Sequence, residues 1–277
     1  MKLTRRLVQI FKEEARPWRF LMSRVLWHAG VSELFSIDIR SEFKLTFFPS
    51  SLSASYWMDP NQRADDGEII RKLVHKGDTV IDVGANIGVL TCEAALAAGH
   101  DGLIYSFEPH PRVYSYLTRN ISRNGFPQVI PVNMGLAAEE GVLHFTDVRG
   151  DDCNHVSENG TGIAVPVTRL DDYLANLDMP RVHLIKIDVE GFELNVLKGA
   201  LGTLARTDYV LFEAFESQFQ RFGYGYREVH ELLAAAGFEV FTIHASSQAG
   251  PVQCDASYVP TLCQNLLAVR RGVPMPL

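Results

Sequence analysis

The sequence lacks the features that mark membrane-spanning, disulfide-rich and fibrous proteins. No uninterrupted apolar run approaches the roughly 18 residues that a transmembrane helix needs. Four cysteines among 277 residues, with no CxxC pair, provide neither a disulfide framework nor a zinc site. We therefore expect a reducing, cytoplasmic location. There are no internal repeats, and a composition of 47% hydrophobic and 21% charged residues indicates a packed globular protein.

The first thirty residues are basic, whereas the rest of the chain is acidic. Residues 1–30 carry seven Lys and Arg against two Glu, a net charge of +5, whereas the whole chain has a net charge of −7. The rest of the chain therefore has a net charge of −12. The net negative charge of residues 31–277 argues against nucleic acid as a partner, because binding to phosphates requires a basic surface.

Residues 1–60 are expected to form an N-terminal accessory arm, helical at first and then folded into short strands and turns. Apolar residues recur at helical spacing from Leu3 to about Phe35, and Pro17 is expected to break or restart the helix. The arm has two interpretations. It packs on the main domain or on a second subunit of a homo-oligomer, or residues 1–30 touch an anionic membrane surface, which would make the protein membrane-peripheral.

Residues 61–277 are expected to form the main domain. From Gly77 onward, short apolar runs alternate with helical patterns such as Phe192–Ala205, which is typical of parallel strands joined by helices. Two final strands, Phe238–His244 and Asn265–Arg270, have no helical pattern between them. The predicted fold class is α/β, a Rossmann-like sheet that is mostly parallel with one antiparallel edge strand. The five crossover strands are Thr79–Val83, Leu103–Phe107, Val129–Asn133, Val182–Val189 and Tyr209–Ala214.

A glycine-containing turn, VIDVGANIG, follows the first strand at the position where open α/β sheets bind ligands. Gly84 leaves the backbone accessible to a ligand, and Asn86 is of the residue type that best tolerates a left-handed conformation. Gly88 allows the following helix to start close to the strand. Asp82 would repel the pyrophosphate of a dinucleotide but would suit a sulfonium cofactor with a charged amino group. The GxGxxG spacing of nicotinamide-dependent enzymes is absent.

Two further residues complete the predicted cofactor site. Glu108 ends the second strand in the sequence SFEP, where a carboxylate can bind both hydroxyls of a ribose. Asn133 ends the third strand, where it would flank an adenine ring or simply form the exit from the strand. A glycine turn and a carboxylate on consecutive strands together indicate nucleoside binding.

The fourth strand ends in LIKIDVEGFE, which crowds ionisable residues at a strand terminus. Lys186 and Asp188 alternate, so their side chains share a face of the strand. One alternative is that Lys186 and Asp188 form a structural ion pair, with Glu190 or Glu193 capping the next helix. The other is that they belong to a reaction centre, in which Asp188 is the first candidate for the catalytic base. Glu213, at the end of the fifth strand, would face the same crevice. Asp188, Glu190 and Glu213 could also bind a divalent cation, but their spacing matches no defined metal signature, so a metal is not favoured.

Two loops supply further candidates. His155, in the loop DDCNH, is the second candidate for the base, because a histidine with a pKa near 6.5 accepts protons readily; its alternative is a solvated loop histidine. The aromatic residues of 215–226 would either contact the apolar face of a sugar ring or pack into the core. The sequence leaves both alternatives open.

The motifs VIDVGANIG, YSFEPHP, LIKIDVEGFELNVLKGA and LFEAFE together resemble the FkbM-type S-adenosylmethionine-dependent methyltransferases. The resemblance covers about Val80 to Phe215 and implies the class I methyltransferase variant of the Rossmann-like sheet. It also implies O-methylation of a hydroxyl on a sugar, a glycan or a related natural product. By resemblance, Asp82, Gly84 and Gly88 contact the methionine portion of the cofactor, and Glu108 contacts the ribose. The alternative is a non-catalytic cofactor-binding or scaffold protein with the same fold.

Overall fold

The computed structural model describes residues 16–147, 154–157, 160–177, 181–243 and 250–276. These residues divide into two compact units, 16–62 and 63–276. The smaller unit has two helices and a hairpin of antiparallel strands: α1 (Pro17–His28), α2 (Ser51–Met58), β1 (Ser36–Ile39) and β2 (Phe43–Thr46). A 3₁₀ turn, Ser32–Leu34, precedes the hairpin.

Helix α1 begins at Pro17, in agreement with the predicted restart, since a proline in the first turn removes no intrahelical hydrogen bond. The part of the predicted helix before residue 16 lies outside the described residues. The prediction of only strands and turns in residues 36–60 was wrong for α2. Its start depends on Ser50, whose hydroxyl accepts a hydrogen bond from the backbone N–H of Ser53.

The larger unit alternates strands and helices around one central sheet. Its strands are β3 (Thr79–Val83), β4 (Leu103–Phe107), β5 (Val129–Val132), β6 (Gly135–Leu136), β7 (Gly141–Phe145), β8 (Ile163–Thr168), β9 (Val182–Ile187), β10 (Thr207–Ala214), β11 (Phe238–Thr242), β12 (Val252–Cys254) and β13 (Gln264–Arg270). Its helices are α3 (Ala64–Leu73), α4 (Val89–Ala98), α5 (Pro111–Asn124), α6 (Leu170–Leu174), α7 (Glu193–Lys198), α8 (Leu201–Leu204), α9 (Glu216–Arg221) and α10 (Tyr226–Ala235).

Eight strands form the central sheet in the order β12-β11-β13-β10-β9-β3-β4-β5. The five strands from β5 to β10 are mutually parallel, which confirms the Rossmann-like α/β prediction. One antiparallel edge strand was predicted from the final pair of strands. The second strand of that pair, β13, lies between β10 and β11 and is antiparallel to both. An antiparallel edge strand is present; it is β12, which sequence patterning missed because the strand has only three residues.

Both faces of the sheet are covered, so its strands are buried on both sides. Neighbouring residues of one strand enter different hydrophobic clusters: Ile81 and Val83 lie in one cluster, and Val80 lies in the other. Strand β10 divides in the same way, with Phe212 in the first cluster and Leu211 in the second. This burial explains why the strands have continuous apolar sequences instead of an alternating pattern.

A second, three-stranded sheet has the order β6-β8-β7. Strand β7 (Gly141–Phe145) has an antiparallel partner in β8, which sequence patterning did not identify. The predicted helix Phe192–Ala205 is divided into α7 and α8. In the described part of the chain, no helix combines the length and the hydrophobicity needed to cross a bilayer.

Candidate functional site

The carboxyl ends of β9, β3 and β4, three neighbouring strands, form the centre of the site. The chain leaves β3 through Gly84, Asn86 and Gly88, which all adopt positive φ angles of 76°, 51° and 88°. The left-handed conformation of Asn86 agrees with its prediction. Its side-chain Oδ1 accepts a hydrogen bond from the N–H of Ile87 at 2.7 Å, which stabilises this conformation locally.

The two glycines have packing roles that the sequence did not reveal. A β-carbon at Gly84 would overlap the backbone carbonyl of Asp188, so the glycine allows the loop after β3 to lie directly against the end of β9. A β-carbon at Gly88 would lie 2.6 Å from Cδ1 of Leu117. The expected close packing of the helix start is therefore present, but its partner is helix α5 and not the preceding strand.

Glu108, at the end of β4, holds the loop that follows β3 (residues 84–88), which we call the glycine loop. Its side chain is buried, and its Oε2 accepts the N–H of Asn86 at 2.9 Å while its Oε1 accepts the N–H of His110 at 2.9 Å. Asn133 donates from Nδ2 to the backbone carbonyls of Glu108 and Pro109, at 2.8 and 3.0 Å. Glu108 and Asn133 therefore tie the ends of β3, β4 and β5 together at the site.

Asp82 is almost completely buried and pairs with groups of the protein itself. Its Oδ1 lies 3.1 Å from Nζ of Lys186, and its Oδ2 accepts a hydrogen bond from the hydroxyl of Thr91 at 2.6 Å. The hydroxyl of Ser106 donates in turn to Thr91 at 3.2 Å. In this geometry Asp82 anchors Lys186 beneath the glycine loop. Its predicted contact with the methionine portion of a cofactor stays a prediction.

Lys186 connects the glycine loop after β3 with the candidate reaction centre. Its ammonium donates to the carbonyl oxygen of Gly84 at 3.0 Å and lies 3.8 Å from Oδ2 of Asp188. Burial alone would lower the pKa of Lys186, but the carboxylates of Asp82 and Asp188 outweigh it and hold the pKa above its ordinary value. The lysine therefore stays charged, and the ion pair expected between Lys186 and Asp188 is present as one part of a larger network.

Asp188 follows β9 and has a second cationic neighbour. Its Oδ2 lies 3.5 Å from a terminal nitrogen of Arg63, whose Nε contacts Asp66 at 2.6 Å. Asn265, on β13, donates to Oδ1 of Asp66 at 2.8 Å. Sequence patterning missed Arg63, because no local signal relates it to a strand end 125 positions further along the chain.

Three carboxylates converge at the ends of β9 and β10. One ligand atom from each of Asp188, Glu190 and Glu213 lies within 4.8 Å of the others. Burial, followed by the charge of Asp188, raises the pKa of Glu213, and the thiol of Cys263 donates a hydrogen bond to its carboxylate. The structure thus brings Glu213 beside Asp188, as the sequence predicted. The cluster has oxygen donors of the kind that a hard cation prefers.

The loop that carries Glu190 is held by its neighbours. Glu190 has a positive φ of 57°, its Oε2 accepts from Gln218 at 2.6 Å, and its carbonyl accepts from Arg221 at 3.0 Å. The fully buried Glu193 accepts the N–H groups of Val189 and Gly191 at Oε1, at 3.1 and 3.3 Å. Burial raises the pKa of Glu193 to about 8, against three opposing backbone hydrogen bonds.

His155 lies in a different part of the larger unit. Its backbone N–H donates to Oγ1 of Thr146, its carbonyl accepts the N–H of Thr146, and the adjacent Val156 forms a bridge with Phe145 of β7. The residues 148–153 of this loop lie outside the described residues. The structure therefore joins Asp188 and Glu213, whereas the backbone of His155 pairs with the three-stranded sheet.

The aromatic segment after β10 is mainly part of the core. Phe219 and Tyr226 are buried, and Tyr224 stacks on Phe219 with ring centroids 5.3 Å apart. The hydroxyl of Tyr224 donates to the carbonyl of Gly191 and accepts the N–H of Leu194 at 3.2 Å. Tyr224 thus fixes the same loop as Glu193, a role that its place in an aromatic segment did not indicate.

Fold and site together define a Rossmann-like α/β protein with a glycine-containing loop after its first parallel strand, beside a cluster of acidic residues. Residues 82–240 match the methyltransferase FkbM domain, and the chain belongs to that family. The hexuronic acid methyltransferase AglP of Haloferax volcanii is 30% identical over 151 residues, which are 53% of this chain and 61% of that protein. Methyltransferase 1 of Beauveria bassiana is 28% identical, over 43% of this chain and 57% of that protein.

The 2-O-methyltransferase NoeI of Sinorhizobium fredii is also similar, with 26% identity over 185 residues, which are 59% of this chain and 74% of that protein. The chain thus spans about three fifths of the length of the first two relatives and about three quarters of the third. The FkbM resemblance of the motifs is confirmed over the whole stretch from Asp82 to Val240.

Proposed function

We propose that this protein transfers a methyl group from S-adenosylmethionine to a hydroxyl of a sugar, a glycan or a related natural product. The observation that carries the proposal is the order of three strand ends within an FkbM-family domain. Glu108 follows β4, the glycine loop follows β3, and Asp188 follows β9, so a nucleoside anchor and an acidic centre flank the loop. Two of the similar proteins are named as sugar-acid or 2-O methyltransferases, which supports a hydroxyl acceptor.

The residues around the loop fit the cofactor. When bound, S-adenosylmethionine supplies an electrophilic methyl group on a positively charged sulfur. Glu108 would hold the ribose hydroxyls, Asn133 would fix the segment beside the adenine, and the turn of Gly84, Asn86 and Gly88 would accommodate the methionine portion. Asp82 would act on the same region through Lys186, whose ammonium orients the Gly84 carbonyl.

Asp188 is our first candidate for the group that orients the acceptor hydroxyl and takes its proton. The cations of Lys186 and Arg63 hold the carboxylate in place from two directions. Glu213 is adjacent, and because its pKa is raised it binds a proton more readily than an ordinary glutamate. His155 remains the second candidate for the base. Alignment of the acceptor oxygen would supply most of the rate, since orientation is worth roughly 7–11 kcal/mol in favourable cases.

We infer that the reaction does not require a divalent cation. The cluster of Asp188, Glu190 and Glu213 has suitable oxygen donors. However, Lys186 and Arg63 already balance the charge of Asp188, and Gln218 donates to Glu190. A cation would have to compete with these groups for its ligands.

The location and the assembly of the protein belong to the proposal as well. We infer a cytoplasmic enzyme, supported by the thiols of Cys92, Cys254 and Cys263, which are free in the structure. For residues 1–30, packing on the protein or on a second copy is the favoured interpretation, and contact with an anionic membrane is the alternative.

Calorimetry and a transfer assay test the proposed function directly. The full chain should bind S-adenosylmethionine, and a panel of sugars and glycans incubated with both should gain methyl groups that mass spectrometry detects. Activity should persist after treatment with a chelator. Loss of activity with recovery on adding Mg²⁺ would show that the metal inference is wrong. If the cofactor binds but no acceptor is methylated, the non-catalytic alternative is favoured.

A further inference from the structure

A second cavity opens at the same edge of the sheet, beyond the end of β10. Its volume is about 570 Å³, within the range of roughly 300–1,000 Å³ that small-molecule sites occupy. Helix α9, the first turn of α10 and the loop 256–259 form its walls. The side chains that line it include Gln220, Tyr224, Arg227 and Tyr258.

The walls of this cavity are fixed by hydrogen bonds. The N–H of Glu216 donates to the carbonyl of Pro260 at 2.9 Å, which joins α9 to the loop 256–259. The carboxylate of Glu216 accepts the N–H of Tyr226 at 3.0 Å, which joins α9 to α10. Tyr258 packs edge-on against the buried Tyr226 at 5.5 Å, and its hydroxyl accepts a hydrogen bond from Gln264 at 2.7 Å. The cavity is therefore preformed, which lowers the entropic cost of binding.

The cavity is adjacent to the candidate reaction centre but separate from it. Gln218 and Arg221 of α9 contact Glu190, whereas Glu216 and Gln220 of the same helix line the cavity. Tyr224 lines the cavity too, while its hydroxyl contacts the loop after Glu190. A ligand in the cavity would therefore lie on the other side of α9 from the acidic cluster, and one small ring could not occupy both places.

The chemistry of the lining suits a carbohydrate. Aromatic faces cover the apolar C–H face of a sugar ring, while amide, carboxylate and guanidinium groups pair with its hydroxyls. Arg227 is exposed and lines the cavity. Tyr258 and Tyr224 are half-buried, so parts of their rings face solvent or the cavity.

We propose that this cavity is a subsite for a more distant sugar ring of a longer saccharide acceptor, since α9 lies between the cavity and the ring that receives the methyl group. The inference rests on the proposed function, because it assumes a saccharide acceptor at the acidic cluster. The three parts of the site would then lie side by side at the carboxyl ends of the parallel strands. The glycine loop lies beside β4, the reaction centre follows β9, and the sugar subsite lies beyond β10. The protein would accordingly bind oligosaccharides better than their single sugars.

A glycan array tests the subsite with the full chain, fluorescently labelled and saturated with S-adenosylhomocysteine. The array carries di- to tetrasaccharides next to the corresponding monosaccharides. Tri- and tetrasaccharides should bind about tenfold or more tightly than single sugars, a difference of about 1.4 kcal/mol. Gln220→Ala and Tyr258→Ala should remove this preference, and Tyr258→Phe should retain it because the ring remains. Gln253→Ala, on the exposed part of β12, is the matched control and should bind like the wild type.

Equal binding of oligosaccharides by the wild type, Gln220→Ala and Tyr258→Ala would overturn the subsite, as would an array without any bound glycan. Should Tyr258→Ala fail to fold, Gln220→Ala decides alone, because Gln220 is an exposed helical residue. Calorimetry with S-adenosylmethionine on the same samples separates the two proposals. Intact cofactor binding without sugar binding refutes only the subsite, whereas absent cofactor binding refutes the proposed function.

Discussion

At the scale of residues, the main feature of the site is a row of side chains with alternating negative and positive charge. It runs from Asp82 through Lys186 to Asp188 and Arg63, and it ends at Asp66. Burying a charge raises the free energy of the folded state unless the charge is paired, and removing one partner leaves the other charge buried without compensation. This row of charged side chains therefore does more than stabilise the fold, because it fixes the position of the Asp188 carboxylate relative to the glycine loop.

Replacing Glu108 by alanine should weaken the binding of S-adenosylmethionine by roughly 1–3 kcal/mol, because charge-assisted hydrogen bonds to the ribose are lost. Isothermal titration calorimetry measures the change. Glu140→Ala, at an exposed position, is the control and should bind the cofactor normally. Unchanged affinity in Glu108→Ala would limit the role of Glu108 to holding the N–H groups of Asn86 and His110.

Asp188→Asn should lower turnover by about 10²–10⁴-fold, the usual contribution of a general base, while the affinity for the cofactor changes little. Initial rates with an acceptor that the wild type methylates, compared with calorimetry, separate the two quantities. Asp172→Asn, on the exposed side of α6, serves as the matched control. Near-normal turnover in Asp188→Asn would mean that Asp188 serves only as an ion-pair partner of Lys186 and Arg63.

Glu193 gives the protein a pH-dependent stability. Because burial raises its pKa from 4.5 to about 8, the folded state keeps a proton that the unfolded state releases between these values. The free energy of unfolding should therefore fall as the pH rises through this interval. Glu193→Gln keeps an acceptor for the amides of Val189 and Gly191 without a titrating group. Urea unfolding should show a smaller pH slope for this variant, and a higher stability than the wild type at the alkaline end.

The exposed variant Glu140→Gln provides the comparison for the urea experiment, and its pH slope should equal that of the wild type. Identical slopes for the wild type and Glu193→Gln would contradict the assignment of a raised pKa to Glu193.

At the scale of elements, the contacts that decide where helices begin and end come from distant parts of the chain. The predicted helix Phe192–Ala205 is divided because Asp171 accepts the N–H groups of Gly202 and Thr203, at 2.8 and 2.7 Å. These bonds satisfy the free amides at the start of α8 and allow a new helix to begin there. The periodicity of the segment itself carries no sign of this contact.

The close packing of Gly84, in the turn after β3, can be tested by comparison with Gly125, a second glycine with a similar φ angle. Gly84 and Gly125 both have positive φ, and a β-carbon at Gly125 would meet no atom within 4 Å. Gly125→Ala should cost only the backbone strain, about 1–2 kcal/mol. Gly84→Ala should cost more and should also weaken cofactor binding, because its methyl group would push the loop away from the Asp188 carbonyl. Denaturant unfolding and calorimetry measure both effects, and equal losses for the two variants would contradict the close-packing argument.

At the scale of the whole molecule, the catalytic elements belong to one unit. The central sheet, both hydrophobic clusters and all the predicted site residues lie within residues 63–276. The smaller unit has its own strand pair and its own helices. The basic segment 1–30 should therefore contribute to binding or assembly and leave the chemistry unaffected.

Deleting residues 1–30 should leave the cofactor domain folded and able to bind S-adenosylmethionine. If the segment packs on the protein or on a second copy, the deletion should lower the melting temperature or the mass measured by light scattering. If it touches a membrane, the full chain should sediment with anionic liposomes, at about 1 kcal/mol per basic residue, and high salt should release it. Salt-sensitive sedimentation that the deletion abolishes would contradict the packing interpretation, and neutral liposomes provide the control.

The sequence by itself determined the parallel core of the fold and the main positions of the site. Strands buried on both faces need continuous apolar runs, and turns with positive φ need Gly or Asn, so β3, β4, β9, β10 and the glycine loop could be predicted locally. The carboxylates Glu108, Asp188 and Glu213 could be predicted too, because parallel strands deliver their carboxyl ends to one edge. The FkbM resemblance rested on the same local motifs.

Only the tertiary structure decided the contacts between residues that are distant in sequence. The insertion of β13 between β10 and β11 depends on pairing with both strands, which no local pattern specifies. The position of Arg63 beside Asp188 depends likewise on how α3 packs against the sheet edge. Lys186 beneath Gly84 is a third such contact. Periodicity and propensity act over a few neighbouring residues, whereas these contacts depend on the packing of whole elements, and packing alone fixed the partners of the site.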